Sequence, residues 1–415
     1  MTNLSIQETK GCPAGSPEFK LQYDYLVVGA GLAGATVARN LAEAGKSVLV
    51  IEKRSHVAGN AHTKINEFGD IQHMYGSHIF HTGNEEVWNF LSKFTEWNPY
   101  KHTVLVNAGE LDDPLYHMPL GAKLFDEIHG TASYAIKENI IAEEIEGLDL
   151  DLFTVEGFAI SKVGTTIYEK VIKHYTERQW GRSCSELPAS IVKRLTFRDS
   201  FSTDYFPESD TYQALPKYGY TPMVEQMLAH KNIDLRLNTD FFKHKQMFEY
   251  LADHIIYTGP VDMLFNYAEG RLDYRSLKFK DIYATIFTNS PVVNLTGPDA
   301  NGTRLHTWNA YMTDSHSTDF VMKKTCITLE QPQEYEEGME PYYPINDKKN
   351  MEIYKRYYKR AKELSSYSLV GRLAEYKYYD MDDAVARALN LSKRLLVQEK
   401  DNVWNTYTYH STSTN

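Results

Sequence analysis

The chain has 415 residues, 42% of them apolar and 24% charged, and this composition excludes a disordered or collagen-like protein. Asp and Glu number 55 against 44 Lys and Arg, and the formal charge of −11 argues against a nucleic-acid binder, because phosphate contacts need a basic face. The three cysteines show no CxxC spacing, which disfavours a disulfide framework or a zinc site and favours the cytoplasm. No apolar run is long enough to span a membrane.

The start of the chain predicts a tail followed by a βαβ unit. Residues 1–22 are polar and are expected to form a flexible N-terminal tail. An apolar strand at 25–28, a helix at 35–44 and a second strand at 48–51 follow, with a glycine-rich loop before the helix. This order of elements indicates a dinucleotide-binding unit.

Three glycines in this loop, Gly29, Gly31 and Gly34, have the spacing GxGxxG. The first permits a tight turn, the second lets the backbone approach a pyrophosphate, and the third lets the helix pack close to the strand. Glu52 stands at the tip of the second strand, where a carboxylate can accept hydrogen bonds from a ribose and disfavours a 2′-phosphate.

The residues after the second strand favour FAD over NAD as the cofactor. Glu52 and Lys53 lead into the turn Ala58-Gly59-Asn60, which resembles the flavoprotein loop that passes the FAD phosphates. Further on, His78 and His81 lie three residues apart without a third ligand nearby, so no metal site is expected. Either histidine could lie beside a flavin, or both could be hydrogen-bonded structural residues.

The middle of the chain is predicted to be helical, with helices at 160–173 and 189–197. Between them, Tyr175 and Trp180 accompany Arg and Gln residues, a combination that suits a stacking surface for a base and a charge for phosphate. The alternative interpretation is a helix end capped by Gly181, with both aromatic residues buried.

The second half of the chain predicts more strands and two long helices. A strand at 232–238 and one at 254–257, which runs into Gly259, fit the nucleotide-binding sheet. Antiparallel strands are predicted at 277–279, 283–287, 292–295 and 324–329. Helices are predicted at 348–363 and 381–396, with a strand and Gly371-Arg372 between them.

Together these segments resemble bacterial UDP-galactopyranose mutases over about 90% of the chain. The matching segments are 29–34, 52–60, 75–82, 175–194, 256–260, 274–279, 303–304, 340–347 and 371–381. The resemblance implies an α/β fold, in which a Rossmann-like FAD-binding domain carries an inserted helical domain and an antiparallel β-sheet domain. The expected division is a tail at 1–22, an FAD-binding domain at 23–105, 213–265 and 364–398, a helical insertion with a mobile substrate loop at 106–212, a substrate domain at 266–363 and a C-terminal tail at 399–415.

The resemblance also implies the activity. In this family N5 of reduced FAD attacks the anomeric carbon of a nucleotide-sugar and displaces the diphosphate. The flavin–sugar adduct opens to an iminium, and the ring closes through a different hydroxyl, so that pyranose and furanose interconvert without net oxidation. NAD(P)H or another reductant would serve only to reduce the flavin. A cytoplasmic homodimer, joined through the helical part and supplying galactofuranose for surface glycans, would be expected.

Residue roles follow from positions in the family motifs. The residues expected to be catalytic are Arg194, Arg304 and His81. The residues expected to bind substrate are Tyr175, Trp180, Arg194, Tyr205, Arg304, Tyr343 and Tyr378. The residues expected to bind FAD are Gly29, Gly31, Gly34, Glu52, Lys53, Gly59, Asn60, His78, His81, Gly259, Arg372, Asp380 and Met381. No metal ligand is expected.

The chain departs from the family pattern mainly on the substrate side. Ala58 replaces a glycine, the segment 206–220 differs, and residues 305–320 are unlike the family's usual sequence after Arg304. We therefore keep open the same ring chemistry on a deoxy or N-acetylated sugar, or on a dTDP or GDP carrier. Two other classes also stay open, namely an FAD oxidoreductase of amine-oxidase-like fold and a nucleotide-sugar binder without catalysis.

Overall fold

The structure is a computed structural model that describes residues 22–109, 114–193, 195, 197–285, 290–311 and 324–410, with residues 399–410 described by backbone alone. Residues 1–21 of the expected N-terminal tail lie outside the described residues, and so does Arg194. Among the described helices, none has the length and apolarity needed to cross a bilayer.

The strands of the described chain form four sheets. In chain order they are β1 (Tyr23–Val28), β2 (Val48–Ile51), β3 (Thr63–Ile65), β4 (Ile71–His73), β5 (Phe80–Thr82), β6 (Trp97–Pro99), β7 (Val104–Asn107), β8 (Leu115–His117), β9 (Tyr212–Pro216), β10 (Ile233–Arg236), β11 (Ala252–Tyr257), β12 (Tyr274–Thr285), β13 (Val292–Leu295), β14 (Arg304–Thr307), β15 (Lys324–Glu334), β16 (Tyr343–Pro344) and β17 (Tyr367–Leu369).

The helices surround these sheets. In chain order they are α1 (Leu32–Glu43), α2 (Glu85–Leu91), α3 (Ala122–His129), α4 (Lys137–Ile145), α5 (Val155–Ile167), α6 (His174–Trp180), α7 (Ser190–Lys193), α8 (Tyr220–Leu228), α9 (Lys245–Leu251), α10 (Val261–Leu264), α11 (Lys348–Glu363) and α12 (Met381–His410). The predicted bounds of β2 and α11 are confirmed. Helix α12 continues through 399–410, predicted as part of a tail, because no Gly or Pro interrupts it there.

The first sheet is parallel and has the order β10-β2-β1-β11-β17. Its central strands are buried on both faces, as parallel strands covered by helices must be. Val27 and Val50 pack in the same core cluster as α1 and α8, while Leu26 and Leu49 pack in a second cluster with Phe248 of α9. The expected Rossmann-like sheet is therefore confirmed, and the strand predicted at 254–257 belongs to it as part of β11, which pairs with β1.

The second sheet has the order β16-β12-β15-β14-β13-β7-β8. It is antiparallel except where β13 pairs with β7 in parallel. The separate strands predicted at 277–279 and 283–287 are wrong as far as the structure describes them, since β12 runs unbroken to Thr285. Strand β7 spans residues 104–107, across the predicted domain boundary at 105/106.

The helix predicted at 160–173 is interrupted. Gly164 has φ +78° inside α5, and a wider π-helical turn spans Tyr168–Lys173 before α6 begins. The left-handed φ favours glycine at this position, and a Cβ here would also lie 2.1 Å from Oε2 of Glu144 in α4. The helix predicted at 189–197 is described only as α7, Ser190–Lys193.

The close packing of α1 against β1 depends on Gly34. A Cβ at this position would lie 2.0 Å from the carbonyl oxygen of Gly29, which is backbone and cannot rotate away. We expect Gly34→Ala to lower the free energy of unfolding by about 3 kcal/mol, as overpacking does. Gly31→Ala is the matched control, since its Cβ would lie 3.7 Å from its nearest neighbour, and urea titration should show a loss of about 1 kcal/mol or less. Equal stability of the two variants would contradict this account.

Candidate active site

A groove at the carboxyl ends of the parallel strands has the form of a dinucleotide cradle. Gly29 has φ +107°, which bends the chain sharply after β1. Gly31 and Gly59 face each other so closely that a Cβ on Gly31 would lie 3.7 Å from the Cα of Gly59. Ala58 adopts φ +70°, a left-handed conformation that costs an L-residue about 1–2 kcal/mol and that glycine would adopt freely. The bare backbone of both loops thus leaves space for a pyrophosphate.

Glu52 and Arg54 line the same groove. The carboxylate of Glu52 accepts hydrogen bonds from the backbone N–H of Ala30 and of Arg54, both at 2.9 Å. Arg54 pairs with Glu340 and Asn60 through Nη2, but its Nε and Nη1 are buried without a hydrogen-bond partner. Unpaired guanidinium N–H groups beside a glycine cradle fit an anionic phosphate. Sequence reasoning assigned no role to Arg54, although it directly follows Lys53.

The groove opens into a chamber, and both spaces share His78, Arg372, Asp380 and Met381. Burial lowers the pKa of His78 to about 4, so the ring is neutral near pH 7. Its Nδ1 lies 2.8 Å from the carbonyl oxygen of Gly76, which only accepts, and Nδ1 therefore carries the hydrogen. Nε2 is left as an acceptor.

His81 lines the chamber but not the groove. Its Nδ1 is 2.7 Å from Asp210 Oδ2, and its ring stacks on Phe206 with a centroid distance of 3.6 Å. Phe206 also stacks against His102, whose pKa burial lowers to about 3. Asp210 and Phe206 lie in the segment that departs from the family pattern, and no local sequence signal predicts their contacts with His81.

Cationic and phenolic groups meet where the chamber joins a third cavity. Arg304, Tyr343 and Tyr378 line both spaces. The rings of Tyr343 and Tyr378 stack at 5.5 Å, and the guanidinium of Arg372 lies 4.9 Å from the Tyr378 ring. Burial raises the pKa of Tyr343, so this hydroxyl remains a hydrogen-bond donor. The junction therefore offers fixed donors and positive charge to an anion.

The third cavity is aromatic. Tyr175, Trp180 and Tyr205 line it, as do the acceptor side chains of Gln179 and Asn294, whose Oε1 and Oδ1 are buried without partners. Gly181 ends α6 in the left-handed conformation, as the alternative interpretation of this segment expected, and Tyr175 and Trp180 line the cavity. The stacking of a base on these rings stays a prediction.

The end of α6 is held by a buried arginine. Arg275 Nε donates to the carbonyl of Gln179 at 2.9 Å, and Nη2 donates to that of Arg178 at 3.2 Å. These bonds fix the helix end and with it the ring of Trp180. The role of Arg275, a member of one family motif, is therefore a structural one.

The structure brings together the expected site residues that it describes. The thirteen expected cofactor residues line the groove or the chamber, and Tyr175, Trp180, Tyr205, Arg304, Tyr343 and Tyr378 line the chamber or the aromatic cavity. Arg194 lies outside the described residues, but its neighbours Val192 and Leu195 line the aromatic cavity. Sequence reasoning missed Glu330, which is buried at 1% exposure between Arg304 and His306.

Two family models and several curated relatives match this sequence. A family model described as UDP-galactopyranose mutase matches residues 170–378, which is half of the chain, and a model described as an NAD(P)-binding Rossmann-like domain matches residues 27–94. A probable UDP-galactopyranose mutase of Klebsiella pneumoniae is 34% identical, covering 89% of this chain and 94% of that protein. A dTDP-fucopyranose mutase of Escherichia coli is 31% identical, covering 91% of this chain and 99% of that protein.

Solved structures are similar in fold. A reduced UDP-galactopyranose mutase superposes with a TM-score of 0.70 at 14% identity, over 91% of this chain and 96% of that one. A redesigned putrescine oxidase superposes with a TM-score of 0.55 at 12% identity, over 91% and 99% of the two chains. At such identities the likeness supports the fold alone.

Arg54 provides a test of the groove. Replacing it by Gln removes the charge while keeping a polar side chain. We expect the Kd for FAD, the cofactor predicted from the sequence, to rise about tenfold, since a hydrogen bond to a charged group contributes about 1.5 kcal/mol or more. The control is Lys53→Gln, because Lys53 also pairs with Glu340 but its side chain is 56% exposed. Fluorescence titration of the apoprotein should show a clearly smaller loss for Lys53→Gln. Equal losses would mean that the unpaired atoms of Arg54 do not face the cofactor.

Proposed function

The chain belongs to the UDP-galactopyranose mutase family, and we propose that it interconverts the pyranose and furanose forms of a nucleotide-linked hexose, with UDP-galactose as the first candidate. One observation carries this proposal: the dinucleotide groove, the chamber and the aromatic cavity are joined end to end. A nucleotide-sugar laid along this path would place its base among aromatic rings, its diphosphate at the charged junction and its sugar in the chamber.

We propose FAD as the cofactor, held by the glycine loops, Glu52, Lys53, Asn60 and Arg54. Bound in its reduced form, FAD would supply a nucleophile at N5 for the anomeric carbon. His78 and His81 are proposed to flank the flavin where the groove opens into the chamber. NAD(P)H or another reductant would be needed only to reduce the flavin, because the sugar enters and leaves at the same oxidation state.

The junction residues are proposed to stabilise the departing diphosphate. Negative charge accumulates on the diphosphate as its bond to the sugar breaks, and pre-placed donors stabilise that charge best. Arg304 supplies the permanent charge, while Tyr343 and Tyr378 supply hydroxyl donors. Arg194, by its motif position, is proposed to add a second cation from the substrate loop.

We consider two candidates for the sugar and the nucleotide that the enzyme takes as substrate. The dTDP-fucopyranose mutase relative is nearly as similar as the UDP-galactopyranose mutase relative. Ile79, Val104 and Val292 give the chamber an apolar wall, which would suit the methyl group of a 6-deoxy sugar. We therefore propose a dTDP-linked 6-deoxyhexose as the second candidate, handled by the same ring chemistry.

We also propose that the protein works in the cytoplasm as a homodimer and supplies furanose sugars for surface glycans. The helical part supports the dimer, because Leu152 and Phe153 are 51% and 87% exposed there, next to α5. Exposed apolar side chains of this size mark association surfaces when they cluster.

The function is tested by an anaerobic assay with dithionite-reduced enzyme. UDP-galactofuranose and a panel of UDP-, dTDP- and GDP-linked pyranoses would be supplied, and the products separated by HPLC. We expect interconversion only with reduced flavin. Oxygen or NADH consumption coupled to turnover would instead indicate an oxidoreductase. Binding of nucleotide-sugars without any product would indicate a non-catalytic binder.

The proposed role of Arg304 predicts a loss that lysine cannot restore. A lysine has one compact charge in place of a planar fork, so we expect Arg304→Lys to lower kcat about 100-fold, a loss of about 2.7 kcal/mol of transition-state stabilisation. Arg356→Lys is the matched control, since Arg356 is half exposed and pairs with Glu269 at the surface. Full activity of Arg304→Lys in the HPLC assay would remove Arg304 from the mechanism.

A further inference from the structure

Three side chains that sequence reasoning left without a role form a hydrogen-bonded line at the chamber wall. Ser77 Oγ lies 2.5 Å from His306 Nδ1, and His306 Nε2 lies 3.1 Å from Glu330 Oε2. Ser77 and Glu330 line the chamber, whereas His306 is fully buried behind it and stacks on Trp308. The buried ring of His306 thus connects two residues of the chamber wall, Ser77 and Glu330.

The direction of the hydrogen bonds follows from the charge on Glu330. Burial alone would raise the pKa of this carboxyl, but Arg304 and the hydrogen bonds from His306 and Thr303 lower it to about 2. A carboxylate only accepts, so His306 Nε2 carries a hydrogen. In the neutral ring Nδ1 then accepts from the Ser77 hydroxyl, and Ser77 Oγ can accept from Tyr311, whose pKa burial raises.

In the doubly protonated ring the bond at Nδ1 reverses. Nδ1 then donates to Ser77 Oγ, and the Ser77 hydroxyl hydrogen is released for another acceptor. A single proton can therefore pass between His306 and the chamber through Ser77, while the carboxylate of Glu330 stabilises the charged ring. This is the arrangement by which a buried acid orients a histidine and the histidine serves a hydroxyl.

The proposed reaction needs such a proton. When a pyranose ring opens, its ring oxygen becomes a hydroxyl and gains a hydrogen; when the furanose closes, a different hydroxyl becomes the ring oxygen and loses one. The proton taken and the proton returned balance, and no oxidant or reductant is consumed. A residue that lends a proton and recovers it within one turnover meets this need.

Other titratable groups around His306 are less suited to give a proton and take it back. The rings of His73, His78 and His102 lie near it, and burial lowers the pKa of each, which keeps them neutral near pH 7. Arg304 and Glu330 hold fixed charges. Of the four histidines named here, His306 is the one hydrogen-bonded to a carboxylate.

We propose that Ser77, His306 and Glu330 form a proton relay for opening and closing the sugar ring, an inference that rests on the proposed function. On opening, the Ser77 hydroxyl gives its hydrogen to the ring oxygen, and the charged His306 ring passes its Nδ1 proton to Ser77 Oγ. On closing, the attacking hydroxyl gives its hydrogen to Ser77, and Ser77 returns one to Nδ1. Ser77 would touch substrate, while His306 and Glu330 act through it.

The test separates ring isomerisation from cleavage of the sugar–phosphate bond. Substrate labelled with oxygen-18 at the sugar–phosphate bridge reports cleavage by exchange of the label into non-bridging positions, which needs no ring opening. We expect Ser77→Ala and His306→Gln to lower kcat for isomerisation about 100-fold, the usual size of a general acid–base contribution, while label exchange stays within about threefold of the unaltered protein. Ser77→Thr, which keeps the hydroxyl, should restore most of the isomerisation.

Two further measurements exclude a merely structural loss. Calorimetric Kd values for UDP on the oxidised holoenzyme should be equal in all variants, and the solvent deuterium effect on kcat should change in Ser77→Ala. If isomerisation and label exchange fall together, or if neither falls, the relay is wrong. If the unaltered protein exchanges no label and isomerises no sugar in the panel, the proposed function is wrong and the relay falls with it.

Discussion

The ion pair of Arg304 and Glu330 is the constraint on which the site depends. The two residues lie directly opposite each other on β14 and β15, so the register of one strand pair sets their separation. Since alternate residues of a strand face opposite sides, a slip of one residue would turn one partner away and leave a buried charge unpaired. The site therefore requires one register of the second sheet, and that register in turn places Arg304 at the junction.

A second arginine joins this sheet to the cofactor groove. Arg372 Nε donates to the carbonyl of Tyr379 at 3.2 Å, and Nη1 lies 3.5 Å from the carbonyl of Tyr342. These bonds connect the chain after β17, the start of α12 and the strand that carries Tyr343. The relative position of the groove and the chamber is thus fixed by backbone carbonyls, which do not vary with side-chain type.

The elements that could be predicted from the sequence are those with local signals. The glycine loop, β2 and α11 each carry their own periodicity or turn residues, and the family motifs placed the described site residues along one path. The single strand β12 was missed. Lys280 and Asp281 lie between the two strands predicted there, and Asp281 accepts hydrogen bonds from Gln72 and Thr328. Ser77 and His306 are 229 residues apart, and no local pattern can join them.

Residues 305–309, the first of the departures after Arg304, lie behind the chamber wall, whereas residues 312–320 are outside the described part of the chain. Residues 305–309 do not line the groove, the chamber or the aromatic cavity. Trp308 is fully buried, bonds to Thr328 and stacks on His306, and His306 in turn contacts Ser77 and Glu330. The described part of this segment can therefore influence the sugar through Ser77 and Glu330, the two members of the line that face the chamber. A changed sugar preference and a changed proton path would then have the same structural origin.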